Sequence, residues 1–278
     1  MRRHLIGALG ATFASSALPL RGAVRDSADE GRAVSDAQAG AGAPSDLIDD
    51  LVTANHILFH EGIFDAFGHI SVRDSANPER YFMARSVPPP LVTRADIAAL
   101  DADSNPVEKG LPDAPLERFI HGEIYRRRAD VQAIVHSHAA MVLPFTVAKH
   151  TPLRAVIHTG GFIGSGAPIF EIRDSAGAGS NMLVQNRELG SALATTLGSK
   201  TLVLMRGHGF AVVGASIQEA VYHAINTVLN ARVERDALSL GNVTYLTDAE
   251  AAATSRIHKT SLNRSWEVWV KRATGQLL

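Results

Sequence analysis

The 278-residue sequence contains no cysteine. That excludes a disulfide framework and any thiolate metal site, so a metal bound here would have to use histidine and carboxylate. Net charge is almost absent as well: 27 Lys and Arg balance 28 Asp and Glu, a formal charge of −1. Such a chain has no global attraction for nucleic acid or a membrane surface, and its longest basic cluster is Arg126-Arg127-Arg128. The triplet reads as the dipole-favoured end of a helix. The glycine pattern lacks both GxGxxG and the P-loop, so no nucleotide site is expected. No internal repeat is visible.

What is present is a hydrophobic content of 46%, enough for a sizeable core. The first twenty or so residues carry Arg2-Arg3, an apolar run from Leu5 to Leu20, and small residues around Ala14 to Ala17. They read as an export signal of twin-arginine type, which places the mature protein in the periplasm or otherwise outside the cytoplasm. An organellar transit peptide, or an early start codon with a cytoplasmic protein, is the alternative. Residues 21–44 are rich in Ala, Gly, Ser and Asp and read as a disordered linker. The folded domain spans 45–278, and no stable membrane association is expected once the signal is removed.

Within the domain, Ser45 is a plausible N-cap for a helix that Gly62 ends. His56 and His60 on that helix are read as packing and surface groups. FGHISVR (residues 67–73) alternates apolar and polar residues, and Tyr81-Phe82-Met83 makes a second strand after the Asn77-Pro78 turn. Ala84 to Leu91 is a proline-held loop with Arg85 near its start. Pro115 to Arg128 reads as an amphipathic helix with Glu117 in its first turn and His121 one turn further. Further expected elements are a strand over Val156-Ile157-His158, a helix over Arg187 to Leu197, strands over 201–205 and 210–213, a long helix over Ser216 to Leu240, and one C-terminal helix over Ala249 to Lys271. Strands and helices interleaved in this way predict a single layered α/β domain.

The chemistry concentrates in two places. VQAIVHSHA (residues 131–139) is an apolar strand ending in His136-Ser137-His138, and the period of two points both imidazoles the same way. VLMRGHGF (residues 203–210) is a second apolar run ending in His208, flanked by Gly207 and Gly209 that permit a tight turn. A single histidine at a strand end is usually a solvated or hydrogen-bonded residue. An HxH pair combined with a glycine-flanked histidine instead describes a site for one divalent metal ion that keeps a coordination position open.

FDAFGHISVR (residues 64–73), Glu117 upstream of the HSH motif, and RGHG (residues 206–209) together resemble the class II aldolase and adducin head-domain family, over about Ser45 to Leu246. The resemblance implies a three-layer α/β/α domain with a mixed or largely antiparallel central sheet. It also implies a divalent metal, zinc or manganese, on His136, His138 and His208, Glu117 as the catalytic acid/base, and a homotetramer with sites between subunits. The sugar-phosphate aldolases of the family hold phosphate with small amide and hydroxyl donors. At those positions this chain carries His69, Arg85-Ser86 and Pro115-Leu116. That departure points to the decarboxylase branch and a small-molecule carboxylate substrate, contacted by Arg85, Ser86 and His69. An aldolase for a non-phosphorylated hydroxy-carbonyl compound is the alternative, and a non-catalytic adducin-like binding module the third class. His158 aligns roughly with a catalytic aromatic position of the aldolases and is expected to assist proton transfer from a neighbouring subunit. Partial burial beside Leu116 and Ile120 is expected to raise the Glu117 pKa, with the metal opposing.

Overall fold

The computed structural model describes residues 45–108 and 114–277. The export signal and linker expected over residues 1–44 lie outside the described residues. The chain runs through α1 (Ser45–His60), β1 (His69–Arg73), β2 (Tyr81–Ala84), β3 (Ile97–Leu100), α2 (Arg118–Arg127), β4 (Ala133–Ser137) and α3 (Leu143–Val147). It continues through β5 (Ile169–Phe170), α4 (Arg173–Ala176), α5 (Arg187–Leu197), β6 (Leu202–Met205), β7 (Gly209–Gly214), α6 (Ile217–Leu240), α7 (Asp248–Lys259) and α8 (Leu262–Ala273). The seven strands form one sheet in the order β3-β2-β1-β4-β7-β6-β5. Every pair is antiparallel except β5 with β6, which makes the sheet mixed and largely antiparallel.

The alternation along the strands explains the three layers. Ala133 and Val135 of β4, with Ile70 and Val72 of β1 and Phe210 and Val212 of β7, pack into one core with α1 and α6. Ile134, Ala211 and Val213 point the other way, into a second core with Ile120 and Ile124 of α2 and Leu189, Leu193 and Leu197 of α5. A strand apolar on both faces must be covered on both. Each fully buried Leu, Ile or Phe contributes roughly 1.5–3 kcal/mol. Position 136 shares the parity of Ile134, so His136 is directed to the α2 side of the sheet.

Several expected elements differ. Val156 to His158 is not a strand, because the Val156 and Ile157 amides are held by Asn230 Oδ1 of α6 (3.0 and 3.4 Å), and His158 begins a 3₁₀ segment, His158–Ile163. The C-terminal helix breaks at Thr260-Ser261, whose hydroxyls bond the carbonyls of Ile257 and His258 and end α7. Helix α2 starts at Arg118, which leaves Glu117 at the N-cap position instead of in the first turn. β3 has no counterpart in the sequence reading. It is an edge strand, and IAAL is too short to show a period.

Two glycines fix the β6–β7 turn. Gly207 adopts φ +63°, open to glycine at no steric cost, and a Cβ on Gly209 would lie 2.1 Å from the Ser137 carbonyl oxygen. Gly209→Ala is therefore expected to push β7 from β4, destabilising the fold by about 1–3 kcal/mol and weakening metal binding as His208 and His138 separate. Thermal denaturation and metal titration check both effects.

A second prediction comes from α6. Glu234 is buried, and burial pushes its pKa up to about 7 against the opposing Arg154 amide, Tyr245 and Arg154 guanidinium. Between the ordinary carboxyl range and about pH 7 the unfolded side chain is ionised while the folded one keeps its proton. Its contribution is thus fully favourable at low pH and is lost as pH rises to about 7. Glu234→Gln is expected to raise Tm at pH 8 relative to the native protein and to leave the difference small at pH 4, as read by calorimetry at both values.

Candidate metal centre and adjoining cavity

The end of β4, the turn before β7 and the N-terminus of α2 meet at one point. His136, His138, His208 and Glu117 converge there, with one ligand atom from each lying within 4.8 Å of all the others. His138 Nε2 is 2.9 Å from His136 Nε2 and 3.1 Å from His208 Nε2. Glu117 Oε2 is 3.4 Å from His136 Nε2 and 3.3 Å from His208 Nε2.

The outer nitrogens decide what this cluster can hold. Nδ1 of His136 donates to the Phe210 carbonyl (3.0 Å), Nδ1 of His208 to the Met182 carbonyl (2.9 Å), and Nδ1 of His138 to Asp65 Oδ2 (3.0 Å). With Nδ1 of each ring engaged outward, the three Nε2 atoms face inward, that of His138 within about 3 Å of the other two. Such a cluster is repulsive without a cation and supplies the borderline nitrogen donors that zinc and similar divalent ions take. The residues present therefore fit one divalent metal ion.

The supporting contacts come from residues to which the sequence alone assigns no role. Asp65 is held by the amides of Phe67 and Gly68 (2.8 and 2.9 Å), an Asx turn that aims its free oxygen at His138. Met182 has φ +69°, an uncommon value for a residue with a side chain, and its carbonyl orients His208. Two residues later the Val184 amide donates to Glu117 Oε1 (3.0 Å). Burial raises the Glu117 pKa, but the adjacent His136 and His208 rings outweigh it, so the net direction is downward. Glu117 is a carboxylate at rest, which corrects the expectation that burial would keep its acid form near neutral pH.

A cavity of about 630 Å³ opens beside the cluster, with Glu117 and His138 in its lining. Phe67, Val87, Pro88, Leu116 and Leu183 give it an apolar wall, and Arg85, Ser86 and His69 line it as well. All three expected substrate contacts are thus brought to the same space. Arg85 is already oriented: its Nε and Nη2 both meet Asp96 Oδ1 (2.8 and 2.7 Å), while Asp96 Oδ2 is held by the amide and hydroxyl of Thr93. His158 is elsewhere, its ring centroid 4.4 Å from that of His258, and it does not line this cavity. His69 is buried, its Nδ1 2.8 Å from His121 Nε2, and burial together with the neighbouring rings holds its pKa well below the usual histidine value. His121 is pushed down to about 3, chiefly by burial and then by His136.

The sequence profile of the class II aldolase and adducin N-terminal domain family matches residues 49–234. The chain belongs to this family. Among characterised relatives, this class II aldolase family member is 35% identical over 250 residues to the decarboxylase tropJ of Talaromyces stipitatus, covering 81% of this chain and 94% of that one. It is 28% identical to the 3,4-dihydroxyphthalate decarboxylase of Arthrobacter keyseri, over 63% of this chain and 72% of the relative. The solved L-fuculose 1-phosphate aldolase from Glaciozyma antarctica shares the fold, with a TM-score of 0.67 at 22% identity, covering 83% of this chain and 90% of that one.

Proposed function

We propose that this protein is a divalent-metal-dependent decarboxylase of an aromatic or ring-opened hydroxy- or oxo-dicarboxylate, with zinc or manganese as the metal. The coarser statement, a carbon–carbon lyase of the class II aldolase family, rests on the family match and the decarboxylase relatives. The observation that carries the finer reading is the pairing of the inward-facing imidazoles and Glu117 with a wide, mainly apolar cavity whose cation, Arg85, is oriented sideways by Asp96. A planar acid suits that wall. The inward-facing lone pairs also argue for chemistry over a purely adducin-like binding role.

A metal on His136, His138 and His208 would supply Lewis-acid stabilisation of negative charge developing on the substrate oxygen beside the scissile carboxylate. Arg85 offers its remaining N–H donors to a second carboxylate. Ser86 and His69 contact the substrate from the same wall. Glu117, a carboxylate at rest, takes the proton of the substrate hydroxyl. As the carbon–carboxylate bond breaks, its electron pair stays on carbon, carbon dioxide leaves, and Glu117 returns the same proton to that carbon. The product departs as an oxyanion and is protonated by water. The reading includes a homotetramer, in which His158 would approach the site from a second copy.

Metal analysis of the purified protein, followed by incubation with a panel of hydroxy-dicarboxylates that includes 3,4-dihydroxyphthalate, tests the proposal. Carbon dioxide equal to the substrate consumed is the expected result. An aldehyde formed without carbon dioxide would establish the aldolase reading in its place.

A further inference from the structure

The cavity beside the metal cluster draws its lining from both faces of the sheet. His69, bonded to His121 of α2, and Glu117, at the start of α2, belong to one face. Ala84 and Val87 belong to the other, where they pack with the core that α1 covers. The space therefore crosses the end of the sheet at which β1 begins and β2 and β4 finish. Asn55 enters it from the α1 side, one residue beyond Ala54 of that core. This polar side chain is 1% exposed.

The helix fixes which way the Asn55 carboxamide faces. Its Nδ2 donates to the Leu51 carbonyl one turn earlier (2.8 Å). A carbonyl oxygen only accepts, so the amide nitrogen must take that side and Oδ1 the other; the reverse placement would set two acceptors against each other. The contact has one sense. No described residue donates to Oδ1, and the atom is not sealed away from water. With the nitrogen committed and the residue otherwise enclosed, the opening left to Oδ1 is the cavity.

An amide oxygen discriminates sharply. It binds an O–H or N–H and repels a second carboxylate, and a substrate without a donor there leaves it unpaired, which costs binding. Arg85 in the same lining has the opposite preference, because a guanidinium only donates. We infer that Asn55 is a specificity-determining residue whose Oδ1 accepts a hydroxyl on the part of the substrate that reaches the α1 side. The substrate is then a carboxylate bearing a hydroxyl in addition to the oxygen beside the scissile carboxylate. The inference rests on the decarboxylase reading given above for the kind of molecule in the cavity.

Calorimetric binding to the zinc-loaded, full-length protein tests it, with 2-hydroxybenzoate as the parent probe. Derivatives carrying a further hydroxyl or hydroxymethyl group at each free ring position are compared with analogues in which methyl or ethyl replaces that group. At least one hydroxylated probe is expected to bind about tenfold more tightly than its counterpart, the fold-change of a hydrogen bond to an oxygen otherwise left unpaired. In Asn55→Leu, of similar volume, this preference is expected to vanish while the affinity for 2-hydroxybenzoate itself is kept. A merely structural role would weaken every probe alike. Asn55→Ala, which suits a helix interior, supplies the same comparison should the leucine variant not fold. The inference is overturned by the lack of any hydroxyl preference in the native protein, by a preference that persists in the variants, or by an equal loss for all probes. A native protein that binds no 2-hydroxybenzoate at all would instead remove the decarboxylase reading, and the inference with it.

Discussion

Replacing Glu117 with glutamine is expected to lower kcat for carbon dioxide release by on the order of 10²-fold or more, with metal content and fold unchanged. Glutamine keeps an oxygen for the Val184 amide, so the segment at 182–184 retains its anchor. It cannot accept the substrate's hydroxyl proton and return it to carbon. The loss should fall on kcat, because the proposed substrate contacts Arg85, Ser86 and His69 are untouched. Steady-state kinetics alongside metal analysis of the same sample checks this, and a Glu117→Gln protein of native kcat would remove Glu117 from the reaction.

The second large effect concerns the ligands. His208→Ala is expected to reduce metal affinity by on the order of 10²-fold or more, since losing a ligand costs at least as much as losing a residue that orients one. Asp65→Ala offers the graded comparison. It leaves all three imidazoles and removes only the acceptor at His138 Nδ1, for an expected loss of roughly 10- to 100-fold. Competition with a chromophoric chelator measures both. Because a metal that binds only the folded state stabilises it, the same order should appear in the metal-dependent rise of Tm. Equal affinity in Asp65→Ala and the native protein would mean that the His138 tautomer needs no support from Asp65.

These expectations rest unevenly on what the sequence displays. β4 is legible because a strand buried on both faces is a continuous apolar run, and its terminal HSH inherits a direction from the period of two. β7, α5 and α6 are legible for similar reasons of pattern and capping, with Asn186 and Ser216 as N-caps whose side chains accept from Leu189 and Glu219. The segment at 182–184 is not legible. It has no periodicity, yet its backbone orients His208 and Glu117, and only φ at Met182 marks it. Asp65 was available in principle, since Asp followed by Phe67-Gly68 has the composition of an Asx turn, but nothing local says that its second oxygen meets a histidine 73 positions away. The resting charge of Glu117 depends on two rings brought from β4 and from the β6–β7 turn, a balance that burial alone, inferred from Leu116 and Ile120, does not predict. The hydrogen-bonded contact of His69 and Ser71 of β1 with His121 and Tyr125 of α2 is likewise a tertiary event: each pair has the right local spacing, and only the packing of α2 on β1 puts the pairs in register.

The central claim is that one metal ion, held by His136, His138 and His208, is required for decarboxylation. It is tested most directly by stripping the protein with a chelator and titrating zinc or manganese back while carbon dioxide release is followed on a substrate from the panel. The account predicts no release from the stripped protein, a linear return of activity that ends at one equivalent of metal per chain, and no return in His208→Ala at the same metal concentrations. Release at the native rate from the stripped protein, or full recovery in His208→Ala at one equivalent, would contradict it.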